Sequence, residues 1–248
     1  MKVLSVAGIT KSGKTTIVES IIRELAGRGY SVGSVKEIHY EEFQIDREGT
    51  NTARHRNAGA ELVTARGLHE TDVLYPSMLP VDKILSFYSQ DYVILEGVTD
   101  INAPMIISAH NTQEIEERLD YRTLAVSGVI ANEMQSYKGF PVINCMTDTQ
   151  KLVDLIVEKV PELVPDFEAD CCSACGTDCH TLLQKILAGE MKRGDCILED
   201  GDIRLSINGI EIKMVPFVKN ILKNTLTGVV KELKGYEEGA KITITIGE

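Results

Sequence analysis

The chain lacks the basic surplus that proteins binding nucleic acids or anionic membranes use. It has 26 lysine and arginine residues against 37 aspartate and glutamate residues, which gives a formal net charge of -11. Without spare positive charge to neutralise phosphates, we expect no general binding to nucleic acid or to a membrane surface. A local basic groove stays open as an alternative.

Long apolar runs are also missing. No run approaches the length of a transmembrane helix, and the short apolar run at the N-terminus leads directly into a glycine-rich motif. We therefore expect neither a membrane span nor a signal peptide. With 248 residues, 43% hydrophobic and 25% charged, the chain is typical of a globular cytoplasmic protein with one large domain or two smaller ones.

A glycine-rich motif organises the first part of the chain. The stretch Gly8-Ile-Thr-Lys-Ser-Gly-Lys-Thr15 matches the phosphate-loop spacing G-x-x-x-x-G-K-S/T at every fixed position, between a short apolar strand and a helical pattern. Backbone N–H groups of such a loop surround phosphates, and the following helix adds its positive end. We predict that Lys14 reaches the β- and γ-phosphates and that the Thr15 hydroxyl binds Mg²⁺. The loop residues predicted to bind the nucleotide are Gly8, Lys11, Ser12, Gly13, Lys14, Thr15 and Thr16.

Two further polar residues follow predicted strands. Glu96 ends the apolar run Tyr92-Val-Ile-Leu-Glu96, and ligands of a parallel sheet lie at the carboxyl ends of its strands. We therefore expect Glu96 near the Mg²⁺ and the γ-phosphate, the alternative being an ordinary acid at a strand exit. Asn132 ends another apolar run and could read a nucleotide base with its amide, although a turn-forming asparagine is an equally good interpretation.

Strand and helix patterns alternate over the first two thirds of the chain, which predicts an α/β fold with a mostly parallel sheet and helices on both faces. The predicted strands are 2–7, 30–36, 61–66, 92–96, 105–108, 124–132 and 140–144, and the predicted helices are 15–26, 51–60, 81–89, 114–119 and 148–160. A proline-containing stretch at 161–170 marks a boundary. We predict a nucleotide-binding domain at 1–165 and a smaller α+β domain at 166–248.

The smaller domain is predicted to carry a cysteine module. Cys172, Cys175, Cys179 and Cys196 have the spacing C-x2-C-x3-C-x16-C, and in a cytosolic chain such clustering favours a metal over disulfides. Four thiolates could hold a [4Fe-4S] cluster or a Zn²⁺ ion. The cluster suits the spacing better, because zinc ribbons usually present two C-x2-C pairs. Free buried cysteines are the remaining alternative, and Cys171 could replace Cys172.

Regular structure is predicted around and after the module. We expect Cys145 to lie in the core and a helix at 180–189 to return the chain to the last cysteine. The alternating pattern around Asn208-Gly209 predicts a β-hairpin. A helix at 218–233, which we expect to cover the hairpin, and a strand at 241–246 complete the domain.

Four features over about residues 1–160 together resemble the molybdopterin-guanine dinucleotide biosynthesis protein B family. They are the phosphate loop, the strand ending at Lys36, the segment from His39 through Asp46 to Ala58-Gly59-Ala60, and Leu95-Glu96-Gly97. The sequence departs from the family pattern in two places: Glu37 follows Lys36 where the family usually has histidine, and Asn51 stands where it usually has aspartate. No Asn-Lys-x-Asp base-reading motif is present.

The resemblance implies a homodimeric GTP-binding protein with weak GTPase activity. Such proteins assist a partner transferase that joins a guanine nucleotide to molybdopterin. The resemblance implies that Lys14, Thr15 and Glu96 are the phosphate and Mg²⁺ residues, with Asp46 as a switch-loop carboxylate near the metal or the attacking water. The alternatives are an ATP-dependent metallocluster carrier or reductase activator, and a nucleotide-binding scaffold with structural zinc.

Overall fold

The computed structural model describes residues 1–40, 43–167, 175–196, 203, 205–207, 210–212, 214, 216–237 and 242–244. Its strands are β1 (Lys2–Gly8), β2 (Val32–Lys36), β3 (Val63–Arg66), β4 (Thr71–Leu74), β5 (Tyr92–Glu96), β6 (Met105–Ser108), β7 (Thr123–Ser127), β8 (Ser136–Tyr137), β9 (Phe140–Pro141), β10 (Leu205–Ile207) and β11 (Ile210–Ile212). Its α-helices are α1 (Lys14–Gly27), α2 (Asn51–Asn57), α3 (Val81–Leu85), α4 (Thr112–Glu116), α5 (Thr149–Lys159), α6 (Cys179–Ala188) and α7 (Pro216–Lys231).

The centre of the fold is a five-stranded sheet in the order β2-β5-β1-β6-β7, and all of its neighbouring strands are parallel. Strand β1 therefore lies in the middle of the sheet, and crossover connections make its neighbours parallel to it. The register pairs Glu96 of β5 with Val6 of β1 on one side and with Lys36 of β2 on the other. This register brings the carboxyl ends of three strands to one edge of the sheet, beside the glycine-rich loop.

Helices cover both faces of the sheet, which confirms the predicted α/β class. One face packs under α1 and α5, through Leu4, Val6, Ile17, Ile21, Leu25, Leu152 and Ile156. The other face packs under α3, through Val3, Val81, Leu85, Val93 and Leu95. Adjacent residues of β1 enter opposite clusters, as the two-residue period of a strand requires.

Three strand predictions need correction. The strand predicted at 124–132 ends at Ser127, because Gly128 adopts a φ of 89° and the chain continues as a 3₁₀ turn over Val129–Asn132. The strand predicted at 140–144 is only Phe140–Pro141, paired antiparallel with β8. The strand predicted at 61–66 lies outside the main sheet and forms a hairpin with β4, which the sequence pattern did not predict.

Helix α6 packs against the first two thirds of the chain. Its buried side chains form a cluster with segments before and after it: Val164, Leu182, Leu183, Ile186 and Cys196. The Asn102 amide, in the connection from β5 to β6, donates to Pro165 O at 2.9 Å and to Cys179 O at 3.2 Å. Arg193 Nε donates to Leu163 O at 3.1 Å. The cysteine-bearing helix is thus joined directly to the loops of the part that contains the parallel sheet.

The last part of the chain follows the predictions in part. The hairpin β10–β11 is antiparallel as predicted, and its Asn208-Gly209 turn lies outside the described residues. Helix α7 is present, but Phe217, Ile221 and Val229 are exposed, so within its described side chains the apolar stripe is not buried. Residues 242–244 lie in no strand, contrary to the prediction, and the rest of 241–246 is outside the described range.

Within the described ranges, none of the helices combines the length and the apolar character that crossing a membrane demands.

Candidate functional site

The glycine-rich loop joins β1 to α1, and contacts with Ser108 of β6 fix its conformation. A Cβ built on Gly8 would lie 2.2 Å from Ser108 O, so only glycine allows the loop to approach β6 this closely. Ser12 is fully buried; its Oγ donates to Ile9 O at 2.9 Å, and its carbonyl accepts from Ser108 Oγ at 2.9 Å. Gly13, with a φ of 106°, immediately precedes the first helical residue. The loop is therefore preformed.

The Lys14 side chain folds back over the loop. Its Nζ donates to Gly8 O at 2.7 Å and to Ile9 O at 2.6 Å. Burial lowers the pKa of Lys14; the Glu96 charge opposes this shift, while Arg118 and Lys36 reinforce it. A phosphate in the loop would offer this ammonium a charged acceptor in place of two neutral carbonyls.

Thr15 and Glu96 meet at the mouth of the loop. Thr15 Oγ1 donates to Glu96 Oε1 at 2.7 Å, although the two residues are far apart in sequence. Lys36 Nζ lies 3.0 Å from the same Glu96 oxygen and 3.5 Å from Thr15 Oγ1. A hydroxyl and a carboxylate oxygen are the donors that Mg²⁺ prefers, together with phosphate oxygens and water. The oxygens present here fit Mg²⁺.

A cavity of about 1450 Å³ opens over the loop, above the roughly 300–1,000 Å³ typical of small-molecule sites. Of the residues predicted to bind nucleotide or Mg²⁺, those that line it are Gly8, Lys11, Gly13, Lys14, Thr15, Thr16 and Glu96. Ser12 belongs to the same loop, but it is buried and does not line the cavity. The cavity is therefore large enough for a small-molecule ligand.

Part of the cavity wall escaped the sequence analysis. Arg118, Asp120 and Arg122 line the cavity between α4 and β7, and Thr99 and Asp100 line it after β5. Arg122 Nη1 donates to Thr99 O at 2.5 Å, and its Nη2 contacts Asp120 at 2.6 Å, so it ties these two segments together. The alternating charges of 117–122 were the available signal. They precede a strand, whereas ligand-binding residues of a parallel sheet are expected to follow its strands.

Asp46 stands apart from the cavity. Its Oδ1 accepts from Thr50 Oγ1 at 2.5 Å and from Thr52 Oγ1 at 2.7 Å, and its Oδ2 lies 3.6 Å from Arg56 Nη2. The two hydroxyl hydrogen bonds lower the pKa of Asp46. The Thr50 hydroxyl also caps α2 by accepting from Ala53 N. The structure thus places Asp46 where it organises the start of α2 and does not bring it to the loop.

Asn132 also lies outside the cavity lining. It is exposed; its Nδ2 donates to Val129 O at 3.0 Å, and its Oδ1 accepts from Asn144 Nδ2 at 2.8 Å. Both contacts stabilise the turn after β7, the alternative that the sequence left open.

The cysteine module is described only in part. Cys179 and Cys196 are buried and Cys175 is partly exposed, whereas Cys171 and Cys172 lie outside the described residues. In the ranges that the structure covers, no group of three or more histidine, cysteine, aspartate or glutamate side chains is placed to hold a metal ion. The three described cysteines by themselves therefore do not form a metal site. Cys145 is buried in the core, as predicted.

Comparisons with known proteins agree with this architecture. The family model described as "MobB: Molybdopterin guanine dinucleotide synthesis protein B" matches residues 3–131, just over half of the chain. A putative molybdopterin-guanine dinucleotide biosynthesis adapter protein of Methanocaldococcus jannaschii is 27% identical over 253 residues, covering 99% of this chain and 97% of that protein. This similarity extends through the C-terminal part.

Shorter relatives match the first two thirds. A probable molybdopterin-guanine dinucleotide biosynthesis adapter protein of Bacillus subtilis is 24% identical over 162 residues, 64% of this chain and 92% of that protein. The crystal structure of Bacillus subtilis MobB superposes with a TM-score of 0.54 at 22% identity, covering 64% of this chain and 98% of the other. At this identity the structural likeness concerns the fold.

Proposed function

The chain belongs to the molybdopterin guanine dinucleotide synthesis protein B family, and on that premise we propose that it is an adapter protein of molybdopterin-guanine dinucleotide biosynthesis that binds GTP. The relatives that cover most of the chain or most of its nucleotide-binding part are named as adapters of this biosynthesis. The nucleotide would occupy the cavity over the glycine-rich loop, with Mg²⁺ beside it.

The observation that carries the proposal is the contact between Thr15 Oγ1 and Glu96 Oε1 at 2.7 Å, next to the preformed loop. A helix N-terminus, a loop lysine and two oxygen donors at the carboxyl edge of a parallel sheet are the parts that phosphoryl-binding sites use. Thr15 and Glu96 would hold Mg²⁺, which neutralises phosphate charge when bound. Lys14 would exchange its carbonyl partners for phosphate oxygens.

The arrangement supports slow hydrolysis at most. In-line transfer to water depends on positioning and on charge neutralisation. Lys14 would neutralise phosphate charge, and Glu96 would position the Mg²⁺. Asp46, the carboxylate predicted to act near the attacking water, is engaged with Thr50 and Thr52. Weak turnover and a main role in nucleotide binding are what this geometry favours, and they suit an adapter.

A partner enzyme completes the proposed function. We propose that the chain acts as a homodimer and assists a guanylyltransferase or a molybdoenzyme maturation factor. The cavity of about 1450 Å³ exceeds the roughly 300–1,000 Å³ typical of small-molecule sites, which supports a shared site in which a second ligand or a partner's side chains complete the wall.

Substituting Lys14 with alanine tests the site. We expect wild-type protein to bind GTP at micromolar concentration in calorimetric titrations, and Lys14→Ala to lose binding while its circular dichroism and unfolding curve stay unchanged. Lys151→Ala, on the exposed side of α5, is the matched control. Equal binding by wild type and Lys14→Ala would refute the assignment, and a clear preference for ATP would favour the metallocluster-carrier alternative.

The cysteine module adds a second part to the proposal. We propose that residues 166–248 form a C-terminal domain and that Cys172, Cys175, Cys179 and Cys196 hold a [4Fe-4S] cluster, with Zn²⁺ as the alternative. Only the spacing supports this ligand set, since the described cysteines alone do not form a metal site. Iron, zinc and acid-labile sulfide analysis of protein purified without oxygen decides between the two, and the absence of both metals would remove the proposal.

A further inference from the structure

Lys36 contacts both of the residues proposed to bind Mg²⁺. It is the last residue of β2 and stands in register beside Glu96 of β5. Its Nζ lies 3.0 Å from Glu96 Oε1 and 3.5 Å from Thr15 Oγ1, while those two oxygens are 2.7 Å apart. The three polar atoms therefore form one compact group in which the ammonium is the cation.

Glu96 needs this cation. Its carboxyl group is buried, with a side-chain exposure of 9%, and an ionised buried carboxylate is unfavourable without a positive partner. The other lysine nearby, Lys14, directs its ammonium to Gly8 O and Ile9 O. Lys36 thus balances the charge of Glu96 in the ligand-free protein.

The Lys36 side chain can leave this position. It is 54% exposed and lines the same cavity as the glycine-rich loop. A divalent cation bound at Thr15 and Glu96 would repel an ammonium group that touches the same oxygens. The phosphates that arrive with the metal offer that ammonium a new anionic partner in the cavity.

We propose that Lys36 holds the place of the divalent cation in the ligand-free protein and moves its ammonium group to the γ-phosphate when a metal–nucleoside triphosphate binds. This inference rests on the proposed function and extends it, because it makes Lys36 a specificity residue. A nucleoside diphosphate lacks the γ-phosphate, so Lys36 favours GTP over GDP.

Nucleotide titrations test whether the Lys36 ammonium group moves to the γ-phosphate. Dissociation constants for GDP and for a non-hydrolysable GTP analogue are measured with excess Mg²⁺ in wild type, Lys36→Met and Lys36→Arg. We expect Lys36→Met to reduce the preference for the triphosphate about tenfold, the size of one lost charge-assisted hydrogen bond, and Lys36→Arg to retain most of it. Lys151→Met is the matched control.

The ratio of the dissociation constant for GDP to that for the GTP analogue separates the possible outcomes. If Lys36→Met weakens both nucleotides by the same factor, Lys36 only supports the loop, and if it changes neither, Lys36 forms only a surface ion pair; either result overturns the inference. A wild-type protein that binds neither nucleotide would refute the proposed function and this inference together. A binding wild type with an unchanged ratio in Lys36→Met refutes the inference alone.

Binding of Mn²⁺ to nucleotide-free protein tests the place-holding separately. The free ion is followed by electron paramagnetic resonance as protein is added. We expect Lys36→Met to bind Mn²⁺ several-fold more tightly than wild type, because the ion no longer has to displace an ammonium group. If Lys36→Met binds Mn²⁺ no more tightly than wild type, Lys36 does not hold the cation position.

Discussion

The ring of Tyr121 stacks on the imidazole of His180, with centroids 4.7 Å apart and planes inclined by 21°. Tyr121 belongs to the segment 117–122, most of which lines the nucleotide cavity, and His180 is the second residue of the cysteine-bearing helix. Asn102 makes a second link, from the connection after Glu96 to the carbonyl of Cys179. Two segments that contribute residues to the cavity lining, the one after β5 and the one before β7, therefore contact the first turn of α6.

The Asn102 link should be important for stability. Asn102→Ala removes the hydrogen bonds to the partly buried Pro165 carbonyl and to the buried Cys179 carbonyl, and an unpaired buried acceptor costs about 1–3 kcal/mol. We expect a lower urea midpoint and faster amide exchange in α6, measured by hydrogen–deuterium exchange mass spectrometry. Asn57→Ala, at the exposed end of α2, serves as the control. Unchanged exchange in α6 would show that the hydrophobic cluster alone holds this helix.

The Tyr121 hydroxyl should ionise at a higher pH than an exposed tyrosine. Burial raises its pKa from 10.0 to about 12. In the unfolded chain the group ionises near its ordinary pKa, so the stability it confers is complete below that value and is lost as the pH rises through the folded pKa. We expect the free energy of unfolding to fall over this alkaline interval, and to fall less in Tyr121→Phe. Absorbance at about 295 nm, where tyrosinate absorbs, follows the titration. Equal slopes in both proteins would contradict the assignment.

Gly8 should tolerate no side chain. In Gly8→Ala the new Cβ would meet the Ser108 carbonyl at 2.2 Å, and overpacking of this kind costs about 1–3 kcal/mol. We expect reduced stability in urea and loss of GTP binding, since the loop must move away from β6. Gly27→Ala is the matched control, because no atom lies within 4 Å of its built Cβ. An alanine at position 8 that bound GTP normally would show that the loop is not preformed.

Asp46 should contribute to stability and not to turnover. Its pKa is lowered by hydrogen bonds from Thr50 and Thr52, so its contribution is present above the ordinary pKa of 3.8 and is lost as the pH falls through the lower, folded value. We expect Asp46→Asn to lower the melting temperature at neutral pH and to leave GTP affinity and hydrolysis unchanged. A variant that binds GTP normally but no longer hydrolyses it would instead restore Asp46 as a switch-loop carboxylate.

Glu96 should make nucleotide binding depend on Mg²⁺. In Glu96→Gln the amide oxygen can still accept from Thr15, so the fold is kept, but the charge that attracts the metal is gone. We expect the ratio of GTP affinities with and without Mg²⁺ to fall about tenfold or more, which corresponds to about 1.4 kcal/mol. Glu19→Gln, exposed on α1, is the control. An unchanged ratio would remove Glu96 from the metal site.

The parts of the fold that could be predicted are those determined by short-range sequence patterns. The loop with its flanking strand and helix follows from adjacent residues, and so does the buried run ending at Glu96. The cavity wall at Arg118 and Arg122 could not be predicted, because only packing brings a segment that precedes β7 toward the loop. The family resemblance implies a place for Asp46 near the metal or the attacking water, and packing determines the contacts that it makes in this structure, where two threonines within six residues of it supply its hydrogen bonds. Gly128 ended a strand that its apolar neighbours would have continued.

The position of β1 also determines when the site can form during synthesis. The central strand β1 is made before its neighbours in the sheet, β5 and β6, which begin only at Tyr92 and Met105. A growing chain that has passed the glycine-rich loop must therefore add about eighty more residues, from Thr15 to the end of β5 at Glu96, at roughly 5–20 residues per second, before β1 can pair on either side. The loop is synthesised well before Ser108, although its shape depends on contacts with that residue.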